Sequence, residues 1–405
     1  MIRTILLFLA ALPLVSCIGE DAGGSAPEEG PARTVLVWLG GDNDLTGEVA
    51  QKIEALRRGW RPTGGACLIY ADSRRDGARL LRLRGGCAAA PEPYVETVAE
   101  YGPENSASAE VFGRVLRDVT AAYPADGYGL VFFSHGSGWL PAGTLRNAAG
   151  EAGSASASPA SRSLGRDDSV PEGGSAEIEL ADFAGAIPDG ALDFILFESC
   201  FSAGVEVAYA LRHKARYLLV SSAEMLSPGF APVYPTALPL LFDASRPTAD
   251  ALAAFGRAYM DYINTLDGAF RSATLSLVDT SYMDVLAARI RELLGNSSHR
   301  ADISIGLQHF DRPGSYGDIP AVPRFFDFGQ WAGRIAGDEV NAVFGEQMKR
   351  TVIWEESTER FLPSQNGFEI RCHSGLTVYV EQPELVKLNE YYRRTAWYGA
   401  VWGGN

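Results

Sequence analysis

Residues 128–139 read YGLVFFSHGSGW, and residues 192–204 read LDFILFESCFSAG. Each is an apolar run that stops abruptly at polar residues and a glycine. Unbroken apolar runs of this length, bounded by turn residues, predict strands buried on both faces of a parallel sheet. The first delivers His135 at its C-terminal end and the second delivers Cys200. Ligands of open parallel sheets bind beyond the carboxyl ends of the strands. An imidazole and a thiol brought together there are sufficient for nucleophilic catalysis.

The flanking segments extend the same architecture. Residues 34–39 (TVLVWL) form a first buried strand, followed by GGDNDLTG and a helix over 45–60. Asp42 and Asp44 in that turn offer oxygens to a cation, although turn chemistry and capping of the next helix is the simpler reading. Residues 66–71 are a second strand. Residues 78–84 (ARLLRLR) are a third, antiparallel at an edge because of their alternation. Residues 106–123 carry apolar residues at helical spacing, with Ser106 or Ser108 as N-cap. A short helix over 178–186 precedes the Cys200 strand, and a helix to residue 213 follows it. Residues 215–221 make another buried strand, and 222–234 a Pro/Gly-punctuated loop. Strand–helix alternation with right-handed crossovers predicts an α/β/α sandwich with a mostly parallel central sheet.

Residues 34–245 are read as the core and 246–405 as an elaborated α+β region packed on it. In that region helices are expected over 248–265, 282–294, 327–335 and 339–349, and strands over 272–278, 351–355, 368–372 and 377–380. The aromatic tail WYGAVW at 397–402 is expected to dock on the core. Residues 141–177 are rich in Gly, Ala and Ser and almost lack large apolar residues, which predicts a mobile loop. The loop joins the two site-bearing strands and carries Arg146, Arg162 and Arg166, so it is a natural proteolytic site.

The first 33 residues stand outside the fold. Arg3 and the apolar residues 5–15 form a signal segment too short to span a bilayer. It ends LVSC, similar to a bacterial lipobox with Cys17 as the lipidated residue. Residues 18–33 are small, polar and acidic, as expected of a flexible tether. The chain is thus read as an exported lipoprotein anchored at the outer membrane, periplasmic or at the cell surface. Fifty acidic against 35 basic residues give a net charge of −15, which excludes the basic footprint of a nucleic-acid binder. Of the five cysteines, Cys67 and Cys87 could meet across neighbouring strands as a disulfide or remain thiols, and Cys372 is read as a core thiol. The other four histidines show no metal-ligand spacing.

Only a thiolate attacks well. Cys200 precedes a helix expected to start near Ala203, whose N-terminal dipole would favour an anion. His135 would favour the thiolate and protonate a leaving amine. The N–H groups of Gly136 and Cys200 are the oxyanion donors, an effect of roughly 2.7–4 kcal/mol per donor. A serine hydrolase using Ser137 or Ser202 is the less economical reading, because G-x-S-x-G is absent around both.

SHGSGW at 134–139 and FESCFSAGVEVAYALR at 197–212 resemble the two signature blocks of the clostripain family of cysteine peptidases. The opening TVLVWLGGDNDLTG, PADGYGL before the histidine, RSLGRDDS at 162–169 and the tail YYRRTAWYGAVW are also similar to that family. The resemblance implies a caspase-like fold, a His135/Cys200 dyad, and cleavage of protein or peptide substrates after arginine or lysine. It further implies self-activation in the loop between the two strands, with Arg146, Arg162 and Arg166 as candidate cut sites. No cofactor is required, although some members depend on calcium, which remains open here. A monomer is expected. The family's aspartate two positions before the cysteine is Glu198 in this chain, and its acidic PGDGW-like loop reads PGFAP, with Phe230 in the acidic position. Glu198 is therefore expected to read the P1 cation, with nearby Glu224 compensating. The competing function is a surface-binding lipoprotein that keeps the fold without turnover.

Overall fold

The computed structural model describes residues 33–61, 65–86, 91–142, 144, 164–169, 175–296, 304–315, 320–336 and 341–403. Strands are β1 (Arg33–Gly41), β2 (Ala66–Ser73), β3 (Ala78–Arg84), β4 (Tyr94–Gly102), β5 (Gly127–Phe133), β6 (Leu164–Asp167), β7 (Ala176–Ile178), β8 (Leu192–Glu198), β9 (Ala215–Val220), β10 (Thr274–Asp279), β11 (Phe326–Asp327) and β12 (Val352–Ser357). Helices are α1 (Thr46–Gly59), α2 (Ala109–Ala122), α3 (Leu180–Ala186), α4 (Val205–Leu211), α5 (Tyr234–Ala237), α6 (Thr248–Asn264), α7 (Met283–Asn296), α8 (Phe328–Ala336), α9 (Asn341–Thr351), α10 (Val386–Tyr392) and α11 (Ala396–Trp402).

One nine-stranded sheet runs in the order β12-β10-β9-β8-β5-β1-β2-β3-β4. Its centre, β9-β8-β5-β1-β2, is parallel. These strands bury apolar side chains on both faces, which is why their sequences read as unbroken apolar runs. Antiparallel strands close both flanks. The layered α/β/α expectation holds. Helix α1 illustrates the local cause: Val49, Lys52, Ala55, Leu56 and Gly59 fall on one stripe at helical spacing, and all are buried. Ser108 caps α2, accepting from the Val111 N–H.

Several expectations need correction. β3 is antiparallel as expected but is not an edge, because β4 pairs outside it. The sequence of β4, YVETVAEYG, is partly exposed throughout and carries little apolar signal. The C-terminal region does more than pack on the core, since β10 and β12 extend the same sheet. Most of residues 141–177 lies outside the described residues. Leu164–Asp167, however, is a strand that pairs with β7, and Asp167 is fully buried. Cys17 and Cys87 also lie outside the described residues. Cys67 is a buried free thiol, whereas Cys372 is half-buried rather than a core residue. No described helix is long and apolar enough to cross a membrane.

The aromatic tail docks as expected. Trp397 is fully buried, with its ring 5.7 Å from Tyr209 of α4 and 5.9 Å from Phe328 of α8. Truncating a buried Trp leaves a large cavity and costs about 3–5 kcal/mol. Trp397→Ala should therefore lower unfolding free energy by about that amount in urea titration. A loss within the range of ordinary surface substitutions, about 0.5 kcal/mol, would show that the tail contributes nothing to the core.

Candidate active site

Register places the two reactive residues. In the parallel β5–β8 pair, Phe133 lies opposite Glu198. His135 and Cys200 therefore each follow two residues beyond the last paired position. Both line one small cavity of about 20 Å³, together with Leu45, Glu48, Met225 and Ser227. The backbones beyond the strands nearly touch. A Cβ on Gly136 would lie 3.0 Å from the Cys200 carbonyl oxygen. Gly138 has φ +63°, and a Cβ there would come within 2.3 Å of the Phe201 carbonyl oxygen, so glycine is required on both counts. Phe201 itself takes φ 55°, a conformation costing roughly 1–3 kcal/mol for a bulky residue. Its stacking on Phe325, at 4.4 Å and 9° between planes, offsets part of that cost.

His135 is 1% exposed, and its Nε2 lies 2.6 Å from Asp44 Oδ1. Asp44 belongs to the turn after β1. Asn43 shapes that turn, accepting from the Leu45 N–H and donating to the carbonyl oxygens of Gly40 and Arg166. Partial burial would raise the Asp44 carboxyl, but the hydrogen bond and charge of His135 outweigh it and hold it down at about 2. The sequence offered Asp44 as a cation ligand or a helix cap. In the structure it orients the imidazole, a role no local motif announces. Ser134 ties the strand ends together, donating to the Gly40 carbonyl oxygen at 2.8 Å and accepting from the Arg166 N–H at 3.1 Å.

Cys200 is 3% exposed. Its Sγ accepts from the Met225 N–H at 3.3 Å. Burial, reinforced by the charge of Glu224, pushes the thiol up to about 12. The expected help from a helix dipole is absent, because α4 starts only at Val205 and has seven residues. The thiol of this conformation is protonated at neutral pH.

The two carboxylates expected to recognise a P1 cation are engaged internally. Glu198 Oε1 accepts from Lys52 Nζ and the Phe230 N–H, each at 2.5 Å, and Oε2 accepts from the Tyr234 hydroxyl at 2.8 Å. Lys52 is fully buried; it also donates to the Pro228 carbonyl oxygen at 2.9 Å and lies 4.2 Å from the Phe133 ring centroid. Gly229, at φ +59°, has no room for a Cβ, which would fall 2.1 Å from Glu198 Oε1. At the position of the expected loop acid, the Phe230 backbone binds Glu198 and its side chain enters the core. Glu224 pairs bidentately with Arg312, at 2.7 and 2.8 Å, both side chains being buried. It does not line the cavity. Glu48 does line it: its carboxylate is 3.7 Å from Lys52 Nζ, accepts from the Ser227 hydroxyl, and is 17% exposed.

Sequence reasoning missed Lys52 and Glu48. The available signal was a lysine on the apolar stripe of α1, one turn after a glutamate. Ser137 is fully buried, and Ser202 is engaged with the Ser199 carbonyl oxygen and the Ser221 N–H, so neither serine sits as a nucleophile. Of the candidate cut sites, Arg146 and Arg162 lie outside the described residues. Arg166 is in β6, its side chain paired with Asp168 and its backbone held by Ser134 and Asn43.

Known proteins share this fold. The clostripain family (peptidase C11) matches residues 37–394. An inactive zymogen C11 protease from Parabacteroides distasonis is 28% identical, with a TM-score of 0.75 over 92% of this chain and 99% of that one. A secreted C11 cysteine protease from Bacteroides thetaiotaomicron, solved with an irreversible peptide inhibitor, is 24% identical and shares the fold, with a TM-score of 0.74 over 92% and 99% of the two chains. Among curated proteins, none matches. Two parallel strands that end in a histidine and a cysteine over one cavity, within a chain matched along most of its length, belong to the clostripain family of cysteine peptidases.

Proposed function

We propose that this peptidase is an endopeptidase acting through His135 and Cys200, that it cleaves after arginine or lysine, and that the intact chain is latent. The observation that carries the reading is the pair of strand ends. His135 and Cys200 line one cavity, with the imidazole fixed by Asp44. With Nε2–H donated to Asp44, Nδ1 is the basic nitrogen. It takes the Cys200 proton, the thiolate attacks the scissile carbonyl, and the Gly136 and Cys200 N–H groups receive the oxyanion. The imidazolium then protonates the leaving amine, and a water deprotonated by His135 hydrolyses the thioester. Asp44 is a positioning residue in this scheme.

Latency follows from the buried, protonated thiol and from a cavity of about 20 Å³, which holds about one water. Cleavage within 141–177 is the activating event. Arg146 and Arg162 are preferred over Arg166, whose backbone is held in β6. Basic specificity survives the internal use of Glu198, because two carboxylates, Glu48 and Glu198, share one cation, Lys52, among the described residues. The surplus negative charge sits on the more exposed Glu48, which pairs with the P1 side chain. Substrates are proteins or peptides, met by a monomer. Residues 1–17 support export and lipidation at Cys17, with an outer-membrane anchor. The raised thiol also suits the second reading, a binding lipoprotein without turnover.

Mass spectrometry of the purified chain separates the two readings. Cleavage within 141–177 in wild type and not in Cys200→Ala establishes a self-processing peptidase, whereas an intact, inactive wild type under reducing conditions favours the binding protein. Before cleavage, alkylation of Cys200 by iodoacetamide should keep accelerating from pH 7 to beyond pH 9. A thiol titrating at about 12 carries very little thiolate at neutral pH. A plateau near pH 7 would refute latency through burial. After activation, Glu48→Gln should lower kcat/KM on Arg- and Lys-capped peptides by about 10- to 100-fold, the worth of one charge-assisted contact. A norleucine-capped peptide should be unaffected. Equal loss on all three would remove Glu48 from specificity. Cys17→Ala should release the protein from the membrane fraction, and continued membrane association would reject the lipid anchor.

A further inference from the structure

A serine precedes each of the two reactive residues, and the two hydroxyls are used differently. Ser134, before His135, is fully engaged: it donates to the Gly40 carbonyl oxygen and accepts from the Arg166 N–H. Ser199, before Cys200, holds the equivalent place after β8. It is 1% exposed, and its Oγ is shielded from solvent with no hydrogen-bond partner among the described residues. It lines the cavity together with His135 and Cys200. Ser137 Oγ is also buried without a partner, but Ser137 does not line the cavity.

The free hydroxyl is costly. A buried donor left unused loses its hydration and gains nothing in return, and native structures keep few such groups without a functional reason. The backbone around Ser199 is well held. Its carbonyl oxygen accepts from the Ser202 hydroxyl at 3.4 Å, and the Phe201 N–H donates to the Ala223 carbonyl oxygen at 3.0 Å. Only the side chain is uncommitted, and a hydroxyl turns its hydrogen toward a new acceptor by simple rotation.

Gly136 locates that hydroxyl. A Cβ built on Gly136 would lie 3.1 Å from Ser199 Oγ and 3.0 Å from the Cys200 carbonyl oxygen. The hydroxyl therefore stands against the backbone of one oxyanion donor of the proposed chemistry, and its own residue is joined by a peptide bond to the N–H of the other, Cys200. The Gly136 backbone is fixed in turn. It faces Leu164 in an antiparallel bridge, and the Gly165 N–H donates to the His135 carbonyl oxygen at 2.9 Å.

We propose that the Ser199 hydroxyl is a third donor to the oxyanion, and so a catalytic residue beside His135 and Cys200. The role rests on the peptidase reading. As the thiolate attacks, the S–C bond forms and the carbonyl π pair moves onto oxygen. The hydroxyl donates a hydrogen bond to that oxygen and keeps its proton. As the intermediate collapses, the pair returns, the C–N bond breaks and His135 gives its proton to the leaving amine. A donor that meets charge only as it develops lowers the barrier without tightening substrate binding. Such a donor is held in place and left unused in the resting chain.

The test compares wild type with Ser199→Ala, each cut within 141–177 by brief exposure to immobilised trypsin, which is then removed. On an Arg-capped peptide, kcat should fall about 100-fold with KM nearly unchanged, the low end for loss of one oxyanion donor. An Arg-terminated peptide aldehyde, whose adduct with the thiol presents the same oxygen, should lose affinity by about the same factor. Alkylation by iodoacetamide expels iodide and develops no oxyanion, so its rate should be unchanged. The thermal midpoint should be unchanged or higher, because a buried donor without a partner is removed. Should the midpoint fall, Ser199→Gly replaces the variant and must show the same pattern. A loss of alkylation equal to the loss of kcat overturns the proposal, since Ser199 would then act on the thiol. An active wild type matched by Ser199→Ala in kcat and aldehyde affinity overturns this role alone. A cut wild type that neither turns over nor binds the aldehyde overturns the peptidase reading and this role with it.

Discussion

The floor of the site rests on one buried ion pair. Lys52 from α1 meets Glu198 at the end of β8, and neither side chain reaches solvent. Taking both charges out of water is expensive, and the pair is tolerable because each charged group has further partners. Lys52 has the Pro228 carbonyl oxygen and the face of Phe133 as well as Glu198, and Glu198 has a backbone N–H and a phenol as well as Lys52. Breaking such a pair from one side leaves an uncompensated charge, at a cost of about 3–5 kcal/mol. The pair fixes α1, the strand that carries Cys200 and the turn after Ser227 in one arrangement. Both Glu48 and Glu198 line the cavity, but the pair holds Glu198 buried and leaves Glu48 the more exposed of the two.

Reactivity is restrained by the same burial that gives the site its order. A thiol at 3% exposure, beside the negative charge of Glu224, is held protonated. The imidazole that would take its proton is committed on its outer nitrogen to Asp44. In the dyad proposed above, each half is well oriented, and the missing element is stabilisation of the charged thiolate–imidazolium state. Additional water, a closer imidazole or the developing oxyanion of a bound substrate would each supply it.

The two site-bearing strands were legible because burial on both faces leaves a continuous apolar run, and its abrupt end marks the site. Equal run lengths beyond the paired register then bring His135 and Cys200 to the same level. β4 was illegible for the opposite reason: a partly exposed outer strand keeps polar residues on both faces and carries no period-2 contrast. Lys52–Glu198 and His135–Asp44 depend on contacts between elements far apart in sequence. No local pattern encodes such pairs, although a lysine within the apolar stripe of α1 signalled that one existed. Phe230 is instructive in another way. The position expected to carry an acid keeps its relation to Glu198 through the backbone, which residue identity does not reveal.

Any route from the latent to the reactive state must run through loops. Sliding β5 against β8 by one residue would move every side chain to the opposite face of the sheet and break the packing on both, so the strand ends cannot adjust by register. What can move are the segments lashed to those ends. β6 is lashed most directly, through the Arg166 N–H to Ser134 and through its carbonyl oxygen to Asn43. Ser134 adjoins His135, and Asn43 adjoins Asp44. In the proposed activation, a cut upstream of β6 would act first on the base and its orienting carboxylate, because β6 is bonded to the residues beside them. The thiol side is pinned separately, by the Glu224–Arg312 pair and the Met225 N–H. On the reading proposed above, cleavage of the inter-strand segment would therefore activate by bringing the imidazole to a fixed thiol, and the Cys200 side of the cavity should keep its backbone conformation throughout.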